Sequence, residues 1–142
     1  MTTRYEFYIA GQPKLAKPHH DKIAGIPNVY LWNGVTITED QDYGTLYGFP
    51  HAATFSVALG LAIVEKSEPL TGDEFRFLRK RLKLTQVELA ERFRVSEQTV
   101  ANYEKSKTEP GPADIALRLM YPAEHGNADT GKWRMVERRN AA

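Results

Sequence analysis

The chain of 142 residues contains no cysteine. This absence excludes a disulfide framework and any zinc site built on thiolates, so a zinc ion would need histidine and carboxylate ligands alone. The longest nearly continuous apolar run, residues 57–64, is far shorter than the roughly 20 residues that span a bilayer. The N-terminus has no basic segment followed by an apolar one. We therefore expect a cytoplasmic protein that does not enter a membrane.

The chain also lacks a strong charge of either sign, since its formal net charge at pH 7 is +1. Hydrophobic residues make up 42% of the sequence and charged residues 26%, which excludes disorder throughout and indicates an ordinary globular protein. Residues 71–142 hold 14 Lys and Arg against 11 Asp and Glu, whereas residues 1–70 hold 5 against 7. The basic C-terminal half permits a polyanionic partner but does not require one.

The N-terminal half has the alternation and the turn residues of β-strands. Residues 5–9 alternate around aromatic side chains, and residues 45–47 form a further short candidate strand. Asn33-Gly34 lies between the strand-like segments 29–32 and 35–38 and predicts a type I′ hairpin, because this turn needs positive φ at both central residues. We therefore expect a small N-terminal sheet that includes this hairpin.

Residues 51–66, HAATFSVALGLAIVEK, are too long for a usual strand and predict a mostly buried helix. With so few charges, this helix is either a core element or part of a dimer interface, and both alternatives remain open. Ser67-Glu68-Pro69 then marks a boundary. We predict an N-terminal α+β module at residues 1–68, serving dimerisation or partner binding.

Two capping boxes begin helices in the C-terminal half. Thr71 with Glu74, and Thr85 with Glu88, each pair a hydroxyl that accepts from the N–H three residues on with a carboxylate that reaches back. The first of these helices has an apolar stripe formed by Phe75, Leu78 and Leu82. The boxes lie 14 residues apart, so the two helices are joined by a tight turn.

Two further helices complete this half. Ser96 is the expected cap of the first, and Pro112 lies near the start of the second, which Pro122 is expected to end. We therefore predict an all-helical domain at residues 69–122. Residues 123–142 are polar and are predicted to form a partly disordered tail.

The third helix, within VSEQTVANYEK at residues 95–105, carries short hydrogen-bonding groups where a surface helix usually carries Lys and Glu. If Val95, Val100 and Tyr103 face inward, the 3.6-residue period places the opposite face outward. That outward face consists of Glu97, Gln98, Ala101, Asn102 and Lys105. Two short helices joined by about four residues, the second beginning at Ser, are typical of a helix-turn-helix, which predicts that this face contacts DNA bases.

Residues 71–121, with LTQVELAERFRVSEQTVANYEKSKTEP at their centre, resemble the Xre, or Cro/CI-type, helix-turn-helix domain of bacterial and phage repressors. More narrowly, PLTGDEFRFLRKRLKLTQVELAERF and YEKSKTEPGPADIALRLM are similar to the DNA-binding domain of MqsA-family antitoxins. The resemblance implies a lambda repressor-like domain of about five helices, usually dimeric, that represses its own operon. It covers about a third of the chain.

The resemblance also implies roles for single residues. It implies that Gln86 contacts the phosphate backbone and that Gln98 and Asn102 read bases. With the rest of the outward face, the predicted base-reading positions are Glu97, Gln98, Ala101 and Asn102. With the neighbouring polar and basic residues, the predicted phosphate-binding positions are Gln86, Arg94, Ser96, Thr99, Lys105 and Lys107. Arg79 and Lys83 are further candidates for phosphate contacts, although a solvated charge is the simpler interpretation of each basic residue. For the base-reading positions the alternative is an ordinary solvated helix face, which the two capping boxes and the family pattern disfavour.

The sequence departs from the family in two places. Arg94 stands where the family often has glycine in the turn, so either a left-handed conformation there costs about 1 kcal/mol or the turn differs. The MqsA zinc domain is built on cysteines, and residues 1–70 contain none. Zinc binding and toxin neutralisation are therefore not implied by the resemblance, and we expect no metal and no cofactor.

Other motifs favour structural roles. His19-His20-Asp21 has no second pair of residues at metal-ligand spacing, so a turn or surface role is expected. Tyr43, Tyr47 and Phe49 are interpreted as core and not as a stacking platform for bases or a ligand. No nucleophile, phosphate loop or metal set appears, so we expect no enzyme.

The sequence thus predicts an α+β protein in which a small N-terminal sheet-and-helix module precedes a helix-turn-helix domain. The predicted function is a sequence-specific transcriptional repressor that binds double-stranded DNA as a homodimer on an inverted repeat. The alternative is an antitoxin whose N-terminal module neutralises a partner toxin. A small-molecule sensor or an enzyme in the N-terminal half receives little support.

Overall fold

The computed structural model describes residues 3–136, and residues 1, 2 and 137–142, the last of which end the predicted tail, lie outside the described residues. The described part divides into two compact units, residues 3–58 with 129–136 and residues 59–128. The strands are β1 Tyr5–Ile9, β2 His19–His20, β3 Val29–Leu31, β4 Thr36–Asp40, β5 Gly44–Gly48 and β6 Trp133–Met135. The helices are α1 Ala52–Glu65, α2 Gly72–Arg81, α3 Gln86–Phe93, α4 Glu97–Glu104 and α5 Pro112–His125. The predicted α+β class is confirmed.

The first unit is built on a four-stranded sheet with strand order β2-β3-β1-β6. β1 runs parallel to β3, with Tyr5 opposite Val29, and antiparallel to β6, with Ile9 opposite Trp133. Tyr5, Val29, Ile9 and Trp133 are all buried. On α1, Phe55 packs edge-to-face on the ring of Phe7 at 5.3 Å between centroids and also contacts Trp133. Aromatic side chains therefore dominate this core.

The predicted hairpin at Asn33-Gly34 is wrong. Asn33 is buried, its Oδ1 accepts from the N–H of Ile9 at 2.6 Å, and its Nδ2 donates to the carbonyls of Ile9 and Gln12. The side chain thus pairs with the end of β1 as a neighbouring strand would. Gly34 does have a positive φ of 75°, but the chain continues into β4, which pairs elsewhere.

A different hairpin, of β4 and β5, forms a separate two-stranded sheet. Asp40 Oδ1 accepts from the N–H groups of Asp42 and Tyr43, and Gly44 supplies a φ of 74° at the end of the turn. The core interpretation of the three aromatic residues is wrong here: Tyr43 is 80% exposed and Tyr47 51% exposed, and Phe49 is half-buried. Tyr43 and Tyr47 are exposed because they belong to this hairpin, which is not part of the four-stranded sheet.

The second unit contains the end of α1 and the helices α2 to α5. Its buried core includes Leu59, Ile63, Phe75, Leu78, Leu89, Val100, Leu117 and Tyr121. Both predicted capping boxes are confirmed, since the Thr71 and Thr85 hydroxyls accept from the N–H groups of Glu74 and Glu88 and both glutamates accept in return. The predicted stripe of α2 is buried as well.

The end of the chain differs from the prediction. α5 does not stop at Pro122 but continues to His125, and the Gly126 N–H donates to the Pro122 carbonyl at 2.7 Å. Part of the predicted polar tail then forms β6, where Trp133 is buried and its Nε1 donates to Thr54. This part of the tail is ordered because Trp133 packs against Phe55 in the core of the first unit. Nowhere in residues 3–136 does a helix have the length and apolar character needed to cross a membrane.

Candidate nucleic-acid interface

The pair of helices predicted to bind DNA begins at Thr85, the N-cap of α3. Its Oγ1 accepts from the Glu88 N–H at 3.1 Å, and Glu88 Oε1 accepts from the Thr85 N–H at 3.1 Å. The Thr85 N–H lowers the pKa of Glu88 below its ordinary value, because it donates to the charged form. The start of α3 is thus fixed by its own sequence.

The turn between the two helices passes through Arg94, which has φ 56° and ψ 45°. Its N–H donates to the carbonyls of Ala90 and Glu91, and the Val95 N–H donates to the Ala90 carbonyl at 3.0 Å. The left-handed turn expected for glycine is therefore present with an arginine in its place. A side chain in this conformation costs about 1–2 kcal/mol relative to the right-handed one.

Arg94→Gly should raise the free energy of unfolding by about 1 kcal/mol, because glycine adopts this backbone conformation without the Cβ clash. Urea denaturation monitored by circular dichroism measures the change. Arg92→Gly is the matched control, since Arg92 is an exposed residue within α3, where glycine should lower the free energy of unfolding by about 1 kcal/mol. Destabilisation by both substitutions would contradict the assigned strain at Arg94.

The second helix, α4, begins after Ser96. Ser96 Oγ accepts from the Thr99 N–H at 3.0 Å and contacts Thr99 Oγ1 at 2.8 Å. Ser96 is therefore the N-cap of the helix that carries the base-reading positions, and both Ser96 and Thr99 are also predicted to bind phosphate. Behind them, Val100 is fully buried and fixes the inner face of α4.

The four predicted base-reading residues lie together on the outer side of α4. They occupy helix positions i, i+1, i+4 and i+5, which share one face. Glu97 and Gln98 are exposed, while Ala101 and Asn102 are half-buried. Gln98 Nε2 donates to Asn102 Oδ1 at 3.0 Å, so the two amides already form a pair in the absence of DNA.

The inner end of α4 carries a residue that sequence reasoning missed. Glu104 is only 4% exposed. Arg79 Nε donates to its Oε2 at 2.6 Å, and Arg79 Nη2, Arg76 Nε and Gln86 Nε2 donate to its Oε1 at 3.0 to 3.2 Å. One carboxylate therefore ties α2 and α3 to α4. Its place four residues after Val100, on the inner face, is the signal that could have revealed it.

The charge state of Glu104 follows from these contacts. Burial raises the pKa of this carboxyl, but the hydrogen bonds from Arg79 and Gln86, the charge of Arg79 and the hydrogen bond from Arg76 outweigh it. The resulting pKa lies below the ordinary glutamate value. Glu104 therefore remains ionised, as its partners require.

Two residues predicted to bind phosphate are engaged in this cluster. Arg79 is 8% exposed, and its Nη1 also donates to the Leu84 carbonyl at 2.9 Å. It is a structural residue, and both interpretations of it, as a phosphate ligand and as a solvated charge, are wrong because its donors are used inside the unit. Gln86, the first residue of α3, is half-buried and donates to Glu104.

The other basic candidates remain at the surface. Arg94, Lys105, Lys107 and Lys83 are exposed. Within residues 3–136, none of these four forms an ion pair with a carboxylate. Their charges are therefore not neutralised by the described part of the protein. Residues 3–136 contain no group of three or more His, Asp or Glu side chains arranged to hold a metal ion.

Comparison with known families gives one match: a helix-turn-helix family model matches residues 75–117. The matched segment begins within α2, includes all of α3 and α4 and ends within α5. Comparisons with curated proteins and with solved structures found no match. The match supports a DNA-binding transcription regulator. The narrower resemblance to MqsA-family antitoxins stays a prediction.

Proposed function

We propose that the protein is a sequence-specific transcriptional repressor that binds operator DNA as a homodimer and represses its own operon. The proposed DNA-binding domain comprises residues 69–122, and α4 is its recognition helix. The observation that carries the proposal is the outer face of α4, where two amides, a carboxylate and a methyl group lie together within a matched helix-turn-helix segment.

Each group on this face has a partner on a base edge in the major groove. An Asn or Gln amide pairs with adenine N6 and N7, a carboxylate accepts from cytosine N4, and an alanine methyl contacts the thymine methyl. Asn102, Glu97 and Ala101 supply these three chemistries within about one helical turn. A solvated helix face has no need of this combination, which favours base recognition.

Phosphate contacts would set the register of the helix on the duplex. We assign them to Gln86, Arg94, Ser96, Thr99, Lys105 and Lys107. Ser96 lies at the N-terminus of α4, and Lys105 and Lys107 follow its C-terminus, so the assigned groups bracket the base-reading face. Such contacts give affinity without sequence preference and make binding depend on salt.

Asn102→Ala should weaken operator binding by about 1–3 kcal/mol and relax the preference at one base pair, because it removes a bidentate base contact. Lys105→Ala should weaken binding to all sequences alike and reduce the dependence on salt by about one counterion. Fluorescence anisotropy with operator and random duplexes at several salt concentrations measures both. An equal loss on operator and random DNA for Asn102→Ala would reject the base-reading assignment.

The affinity that specific DNA binding requires supports the proposed dimer. Non-specific DNA binding is typically about 10⁻⁴ to 10⁻⁶ M, whereas specific complexes reach about 10⁻⁸ to 10⁻¹¹ M, and one small domain buries limited surface. Two copies on an inverted repeat double the contacts. Their half-site centres should lie about 34 Å apart or at a multiple of that distance.

The face of α5 supports a dimer surface in the second unit. Ile115 is 63% exposed and Leu119 is 70% exposed, although both are large and apolar. Pro112 and Ala123, also exposed, continue the same helical stripe without a charge. The two large residues line a groove of about 400 Å³, which is also lined by Pro69, by Glu109 and by the ion pair of Asp114 with Arg118. An uncharged stripe beside a groove can meet its own copy across a two-fold axis without like-charge repulsion.

Footprinting on the DNA upstream of the protein's own gene tests the proposal, with selection from random duplexes as its companion. We expect two protected half-sites related by inverted symmetry. If selection enriches a sequence that is absent from the upstream DNA, autoregulation is rejected but specific binding stands. If selection enriches no sequence, the repressor proposal itself is rejected.

A second candidate function, neutralisation of a partner toxin by the N-terminal module, is favoured by the β4–β5 hairpin. Ile37 and Tyr47 lie opposite each other on one face and are each about half exposed, and Tyr43 at the turn is 80% exposed. Residues 23–65 contain no Lys or Arg but include Glu39, Asp40 and Asp42 in or beside this hairpin. Exposed apolar groups beside acidic ones suit a basic protein partner and would repel DNA phosphates.

Co-expression with the product of the adjacent gene tests this second function. A tagged wild-type chain should retain that product, and a chain carrying Ile37→Ser and Tyr47→Ser should lose it while keeping its affinity for DNA. Retention by both chains, or by neither, would remove the hairpin from the interaction.

A further inference from the structure

The hydrogen bond between the two amides on α4 bears on which base the helix recognises. Gln98 and Asn102 are one helical turn apart, and the Gln98 Nε2 hydrogen bond to Asn102 Oδ1 measures 3.0 Å. We infer that Gln98 is a positioning residue that fixes the orientation of the Asn102 amide and so makes Asn102 selective for adenine. This inference rests on the proposed function, since it concerns the same face of α4.

An asparagine amide has two orientations that differ by a 180° rotation and exchange its oxygen and its nitrogen. In one orientation the oxygen meets the N6–H of adenine and the NH₂ group meets N7, and both contacts are favourable. In the other orientation donor faces donor and acceptor faces acceptor. Selectivity for adenine therefore requires the amide to be held in the first orientation.

Gln98 keeps the Asn102 amide in this orientation by donating a hydrogen bond to its oxygen. In the observed orientation of Gln98, its Nε2–H faces Asn102 and finds an acceptor there because the oxygen of the Asn102 amide is turned towards it. The Asn102 oxygen has a second lone pair, and its NH₂ group carries two hydrogens, so both remain available for adenine. Because Asn102 is half-buried and Gln98 is exposed, the pair lies at the surface of α4, where a base edge can reach it.

Gln98→Met is the variant that tests the hold, because methionine keeps the length of the side chain and lacks the donor. Gln98→Glu is its counterpart, because a carboxylate only accepts and would turn the Asn102 NH₂ group towards itself. The first change should reduce the preference for adenine over guanine about 3- to 10-fold, the effect of one hydrogen bond. The second should reduce it further, and its added charge affects all duplexes alike, so the ratio of affinities remains the proper readout.

The experiment uses the full chain and a duplex selected with the wild-type protein. Loss of preference in Asn102→Ala identifies the base pair that Asn102 reads, and 7-deazaadenine at that position removes the N7 acceptor. We expect this substitution to weaken wild-type binding, to weaken Gln98→Met binding less, and to leave Asn102→Ala binding unchanged. In a chain that carries both Gln98→Met and Asn102→Ala, the preference for adenine should be no lower than in Asn102→Ala alone.

A readout on the free protein separates positioning from a direct contact between Gln98 and DNA. The side-chain NH₂ signals of Asn102 in ¹⁵N-resolved spectra should shift in Gln98→Met, with circular dichroism showing an unchanged fold. Unshifted Asn102 signals, or additive losses of preference in the double variant, would overturn the inference while leaving the proposed function in place. If the wild-type chain distinguishes no sequences at all, the proposed function fails instead.

Discussion

Glu104→Ala is expected to lower the free energy of unfolding by about 3–5 kcal/mol, because removal of one partner leaves a buried charge uncompensated. The uncompensated charge is that of Arg79, which is 8% exposed and donates two hydrogen bonds to the Glu104 carboxylate. Arg76 and Gln86 lose the same acceptor. Urea denaturation of the full chain, followed by circular dichroism, measures this loss.

Glu97→Ala provides the matched control, since it makes the same chemical change at an exposed position of the same helix. We expect its free energy of unfolding to lie within about 0.5 kcal/mol of the wild type. A similar loss from the two substitutions would mean that the cost belongs to α4 in general and not to the buried cluster.

The same cluster sets a dependence on pH. The pKa of Glu104 in the folded chain lies below its unfolded value, so the cluster contributes stability above the unfolded pKa of about 4.3. That contribution is lost as the pH falls from this value through the lower folded pKa. Glu104→Gln, which has no carboxylate to titrate, should therefore lose less stability than the wild type between pH 5 and pH 3.

The features that local sequence determines were predicted well. A capping box needs two side chains three residues apart, and both boxes are present at Thr71 and Thr85. The helix expected at residues 51–66 is observed at Ala52–Glu65. The left-handed conformation of Arg94 is one of the two alternatives that the family's glycine at this position predicts, the other being a different turn. In each case the determining contacts lie within a few residues of chain.

The features that depend on distant contacts were not predicted. Asn-Gly favours a hairpin locally, but the Asn33 side chain gains three hydrogen bonds to the end of β1 and loop residues more than 20 positions earlier. The pairing of β1 with β6 joins residues at opposite ends of the chain, and no local pattern encodes it. Tertiary contacts outweigh turn propensity at Asn33-Gly34, and they alone determine the β1–β6 pairing.

The predictions for the candidate interface also divide into those that local sequence determines and those that depend on distant contacts. Helical period alone predicts which residues of α4 face outward, and the exposure of Glu97 and Gln98 agrees with it. Helical period places Arg79 on the buried face of α2, four residues after Phe75, but an arginine is assigned to solvent by its residue type. Only the partner on another helix, Glu104, explains its burial.

Leu119→Asp tests the proposed dimer and has the largest expected effect on DNA binding. A carboxylate in the middle of the α5 stripe would face its own copy across the two-fold axis, so like-charge repulsion and desolvation would separate the subunits. The affinity for a full operator should then fall at least about 100-fold, towards the range of non-specific binding. Analytical ultracentrifugation measures the association, and anisotropy with full-site and half-site duplexes measures the affinity.

Ile23→Asp is the control for this change, because Ile23 is 69% exposed, close to the 70% of Leu119, and lies in the other compact unit. Both substitutions replace a side chain that is exposed in the single subunit, so neither should alter the free energy of unfolding of the separate subunit by more than about 0.5 kcal/mol. If Leu119→Asp separates the subunits and Ile23→Asp does not, the operator is bound through pairing at α5. If the Leu119→Asp chain sediments as a dimer, another surface holds the two copies together, and the α5 stripe has no part in DNA affinity.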